Sequence, residues 1–194
     1  MYLIVRLDTY HPYLRHHHLS FDREAGRSDF RARIERLFAR NGLAYELREN
    51  GQVRRLGPPV LREALAEGFF QTGDAALDTM LEAAKVKFLN PDPTVRREAL
   101  EKLWDVWERL KTIEPGNDKK VQAKVLLDKA ATEPQLRSVV EAEAKALTDI
   151  GNNFMIRHTE TNPTAIQNDA HVDYLFHRLF SLIWMVLRSR GTST

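Results

Sequence analysis

Asn152, Asn153, Arg157, His158 and Glu160 gather amide, guanidinium, imidazole and carboxylate groups into one short stretch between two apolar segments. Cleaving an RNA phosphodiester without a metal needs a base for the 2′-hydroxyl proton, an acid for the leaving oxygen and cationic donors for the charge on phosphorus. His158 has the titration range for acid or base. Arg157 offers a permanent cation with forked donors suited to clamping phosphate. Asn152 and Glu160 can orient those groups, and Asn153 can reach RNA beside them. One His and one Arg supply half a site, which a twofold dimer would complete. In a plainer reading Asn152 and Asn153 cap a helix end after Gly151, Arg157 pairs with Glu160, and His158 is a hydrogen-bonded core residue.

The element that positions this stretch is a long helix starting at Glu133-Pro134, with Leu136, Val139, Val140, Ala144, Leu147 and Ile150 at helical spacing. If it runs on past Gly151, Ile150, Phe154 and His158 keep the i, i+4 spacing and His158 faces the core seam. After a loop over 159–167, Asn168-Asp169 caps a last helix that is apolar over most of its circumference, from Val172 through Phe176 and Phe180 to Leu187. The tail from Arg188 is expected to fray.

Upstream, Asp74 and Asp92-Pro93 open two more helices, the first ending at Asn90-Pro91. The second carries two stripes, one through Ala99, Leu103, Val106 and Leu110 and one through Leu100, Trp104 and Trp107, so it should touch more than one neighbour. Pro115-Gly116-Asn117 is a turn before a helix bearing Lys119, Lys120 and Lys124, candidate phosphate contacts on what is usually a solvated face. Pro58-Pro59 opens a helix closed by Gly68. In the N-terminal part, Ser28 looks like the N-cap of a helix through Phe30, Ile34 and Phe38 that ends at Gly42. Asn50-Gly51 marks a hairpin between strands at 43–47 and 52–56, with Arg48, Arg54 and Arg55 along it. Little structure is expected over 1–27, and His16-His17-His18, as adjacent residues, point apart rather than at one metal.

Composition narrows the classes. The chain is 43% apolar, carries a net charge of +2 and has no Cys, which excludes thiolate zinc sites, disulfides and a Cys nucleophile. No cofactor or metal is expected: His158-Thr159-Glu160 lacks the cysteines of a zinc deaminase, and phosphate-loop, nucleophile-elbow and zincin motifs are missing. His171, Asp173 and His177 read as the wet edge of a core helix. No leader opens the sequence and its most apolar run is too short to span a bilayer, so a cytoplasmic protein is expected.

The segments Ala99–Thr112, Leu147–Glu160 and Tyr174-Leu175-Phe176-His177-Arg178 resemble bacterial HEPN-like proteins of the abortive-infection type, over roughly residues 60 to 188. That resemblance implies a mainly α, antiparallel helical bundle that dimerises, often as a metal-independent endoribonuclease in phage defence or toxin–antitoxin systems, with RNA and an antitoxin or other defence protein as partners. The family's motif is an Arg, usually with a polar residue after it, and then a His within about two turns. Here His158 matches the His and Asn152 the polar residue. The Arg position then falls on Gly151, and Arg157 stands directly before His158 instead. The resemblance also allows a non-catalytic dimerisation or interaction module. The expected organisation is an N-terminal segment of helix and hairpin over 1–57, a helical domain over 58–190 and a disordered tail over 191–194.

Overall fold

The computed structural model describes residues 5–57, 61, 65, 70–154, 156 and 166–191. The chain is mainly helical and divides into two units, residues 1–56 and 57–194.

The first unit opens with an antiparallel hairpin, β1 (Val5–His11) and β2 (His16–Asp22), where little structure was expected. Its tip lacks the usual Asn-Gly signal, and the left-handed residue that the turn needs is Arg15, at φ 53°. Helix α1 (Arg23–Arg40) follows directly. Its N-cap is Asp22, whose side chain accepts from the Ala25 amide at 2.9 Å, not Ser28, so the helix starts six residues earlier than the expected cap places it. Gly42, at φ 64°, terminates the turn after it as expected. The second hairpin pairs β3 (Tyr45–Leu47) with β4 (Val53–Arg55). Of the Asn-Gly pair only Gly51 takes a positive φ, 83°, and its amide bonds to the Arg48 carbonyl, a type I turn closed by a bulge.

The second unit is built on α2 (Ala75–Phe88), α3 (Pro93–Leu110), α4 (Lys119–Ala130), α5 (Pro134–Asn153) and α6 (Asp169–Gly191). Of the expected helix at 58–68 only Leu61 and Leu65 fall among the described residues, both buried. Asp74, Asp92, Asp118 and Asn168 each accept backbone amides of the turn that follows, which satisfies donors the helix itself cannot. Helix α3 is central. One stripe meets α2 and α6, and Trp104 and Trp107, each 1% exposed, form a second stripe turned to α5. Phe88 stacks on Phe176 at 3.8 Å, and Phe176, Phe180 and Trp184 continue a ladder up α6 at the i, i+4 spacing.

Polar clamps fix the remaining contacts. Arg109 forks onto Asp74 at 2.9 and 3.0 Å, joining α3 to the start of α2. Arg178 forks onto Glu143 at 2.6 and 2.8 Å, joining α6 to α5. The buried Glu114 holds Lys129 of α4 at 2.6 Å and Arg190 of α6 at 2.9 Å. Arg188–Gly191 are helical where fraying was expected, and the Arg190–Glu114 ion pair lies in this last turn.

Candidate functional site at the end of helix α5

Helix α5 ends at Asn153. Phe154 leaves it with extended backbone, φ −105° and ψ 156°, while its amide still bonds to the Ile150 carbonyl at 3.0 Å. The i, i+4 series from Ile150 through Phe154 to His158 is therefore not a helical stripe, so the condition for placing His158 on the core seam, a helix running on past Gly151, is not met beyond Asn153. Arg157, His158 and Glu160 lie outside the described residues. The described residues flanking them, Ile156 and Ile166, are both buried.

Gly151 is also in the core. A Cβ built on it would stand 1.9 Å from Trp104 Nε1 and 2.5 Å from Trp104 Cε2, so no side chain fits without moving the indole. The indole N–H is buried with no hydrogen-bond partner because the bare α5 backbone covers it. Position 151 thus belongs to helix packing, and an arginine there would replace a core contact with a charge. Asn152 is exposed in the last turn. Asn153 turns its amide back, its Nδ2 donating to the Asp149 carbonyl at 2.8 Å, as a residue closing its own helix. Lys119, Lys120 and Lys124 are exposed on the first turns of α4, and neither they nor the two asparagines line the concavity that opens here.

That concavity is a groove of about 480 Å³ between the end of α5 and the start of α6, walled by Ile150, Phe154, Ile166 and Leu175 and rimmed by His171, Tyr174 and Arg178. Arg178 keeps its proton more firmly than an ordinary arginine because it donates to Glu143, and its guanidinium lies 5.9 Å from the Tyr174 ring. Tyr174 is 58% exposed. The groove continues an apolar line along α5. At 100° per residue, Leu136, Val139, Ala146 and Ile150 fall within one arc of about 80°, which Glu143, paired with Arg178, interrupts, and Phe154 lines the groove beside Ile150. Leu136 and Val139 are expected core residues that prove 47% and 65% exposed. The first turns of α5 meet α4 through Arg137, which pairs with Asp128 at 2.7 Å, rather than through those apolar side chains.

The histidine candidates diverge. His171 lines the groove, Asp173 faces Arg96 at 3.4 Å, and His177 lies edge-on to Phe88 at 5.4 Å. In the N-terminal hairpin His17 pairs with Tyr10, ring centroids 5.0 Å apart, and His16 stands opposite His11. Among the described residues no three metal-capable side chains converge. No helix among them is long and apolar enough to cross a membrane.

Ile150, His171, Tyr174, Leu175 and Arg178 each figure in the sequence for other reasons, but not as walls of one groove. Their signal is faint: Tyr174 and Arg178, one helical turn apart, are amphipathic residues on a helix otherwise given over to its core. No family model matches the chain, and neither a curated protein nor a solved structure matches it.

Proposed function

We propose that the helical unit is a HEPN-like interaction module that joins a second copy of itself along helix α5 and the groove at its end. One observation carries this: the exposed apolar side chains Leu136, Val139 and Phe154, spread over roughly 27 Å of α5 at 1.5 Å per residue and broken by the Glu143–Arg178 pair, lead into an apolar concavity flanked by the exposed Tyr174. An isologous dimer needs a patch that complements itself, and this one holds both a hollow and aromatic side chains to fill its partner's hollow. Half-buried Ala146, near the middle of the line, lets two α5 helices approach closely across a twofold axis. Sedimentation equilibrium of the full chain is expected to return the dimer mass. Tyr174→Glu is expected to shift it to the monomer with an unchanged thermal midpoint, because a side chain this exposed contributes little to the fold of one chain. A monomeric wild type would refute the proposal.

A second reading is metal-independent cleavage of RNA in a phage-defence or toxin–antitoxin setting, with His158 as acid or base, Arg157 on phosphate, and Asn152 and Glu160 orienting them. It is favoured by the burial of Ile156 and Ile166, since Ile166 walls the groove and the segment bearing those residues is tethered at both ends to this region. Twofold pairing along α5 would bring two copies of that segment into one assembly. Single-stranded RNA incubated with the wild-type chain in excess EDTA is expected to be cut, and His158→Ala to abolish cutting without lowering the thermal midpoint. Intact RNA with a dimeric wild type would leave the interaction module alone standing.

A further inference from the structure

We infer that the N-terminal unit binds single-stranded nucleic acid by its phosphodiester backbone, in the groove between α1 and the turn joining β3 to β4. Among residues 1–56 every basic side chain other than histidine is arginine, eleven of them against seven acids. Arginine is the residue suited to phosphate, because its planar fork can donate two parallel hydrogen bonds to one group.

The arginines are also placed. Arg23, Arg27 and Arg31 recur at i, i+4 and i+8 on α1, within an 80° arc at 100° per residue. With Arg48 from the hairpin turn they line a groove of about 610 Å³. Two acids share it, Glu24 and Glu49. Arg31 donates to Glu49 at 3.3 Å, so that acid is already neutralised. Arg27 and Arg48 are exposed and, among the described residues, have no acidic partner. Four arginines outnumber two acids around this cavity, and a polyanion running through the groove would offset the repulsion that excess creates. Half-buried Phe30 lies on the same wall and offers a ring on which an unpaired base can stack, which selects a single strand over a duplex.

This inference concerns a different unit from the proposed dimer face and stands whether or not the chain dimerises or cuts RNA. Its test is fluorescence anisotropy of the full-length chain with a labelled 12-nucleotide oligouridylate, a labelled oligothymidylate of equal length, and an RNA duplex, each over a range of salt. Both single strands are expected to bind, with log K falling against log salt at a slope of about −1.4 to −2.8, or 0.7 for each of two to four phosphate contacts. The double variant Arg27→Glu with Arg48→Glu is expected to weaken binding at least tenfold and to reduce the slope. Arg33→Glu, outside the groove lining and paired with Asp29 at 2.9 Å, is expected to change neither. Thermal midpoints of both variants are compared with wild type to separate lost binding from lost folding. Absence of binding, equal weakening by Arg33→Glu, a folded double variant that binds as wild type, or tighter binding of the duplex would each overturn the inference.

Discussion

Gly151 is the residue on which the helical unit turns most sharply. In an exposed helix interior, replacing glycine by alanine gains roughly 0.5 to 1 kcal/mol. At Gly151 the sign reverses, because the new methyl would stand 1.9 Å from the Trp104 indole nitrogen and overpacking a core costs about 1 to 3 kcal/mol. Gly151→Ala is therefore expected to lower the denaturant midpoint, by the equivalent of roughly 2 kcal/mol. Adding Trp104→Phe should recover part of the loss, as expected for two side chains in direct contact. An alanine variant more stable than wild type would mean that the indole does not press on α5. The same contact leaves no room for an arginine at 151: the space is taken by Trp104.

At the scale of elements, the sequence is most legible where local chemistry and packing agree. The Asp74 and Asp92 caps, the Pro134 start and the double stripe of α3 are all readable, since each is written in residues within one or two turns. Other boundaries are not. Asp22 and Ser28 are equally good caps by type, and only the chain geometry below Arg23 decides between them. The end of α5 is hidden because Ile150, Phe154 and His158 keep a helical spacing that the backbone abandons at Phe154. The exposure of Leu136 and Val139 depends on what faces α5, which its own periodicity does not state. The groove draws one wall from α5 and another from α6, elements that no local pattern joins.

The caps make a prediction about acid. Asp74 accepts the Leu77 amide and pairs with Arg109, and Asp92 accepts from the Thr94 hydroxyl and amide, so both carboxyls sit below their usual values in the folded chain. Folded carboxylates then bind protons less readily than unfolded ones. The stability they contribute is complete above about pH 4 and is lost as pH falls through their depressed values. Urea midpoints followed from about pH 5 to 2 should decline for wild type, and decline less steeply for the Asp74→Asn, Asp92→Asn double variant. A parallel decline in the two proteins would remove these caps from the account.

For the whole molecule, the N-terminal unit carries an arginine-lined groove, and the helical unit carries exposed apolar side chains on α5, the proposed contact with a second copy. Of the polar stretch that first draws attention, Asn153 closes the end of α5, and Gly151 just before the stretch serves its packing. Pairing along α5 is the claim from which the composite-site reading also follows. Because the chain has no cysteine, a single Ala146→Cys substitution reports on that pairing without background. Under mild oxidation the account predicts rapid formation of a disulfide-linked dimer, while the exposed control Lys124→Cys stays monomeric. Crosslinking of Ala146→Cys no faster than the control would contradict it.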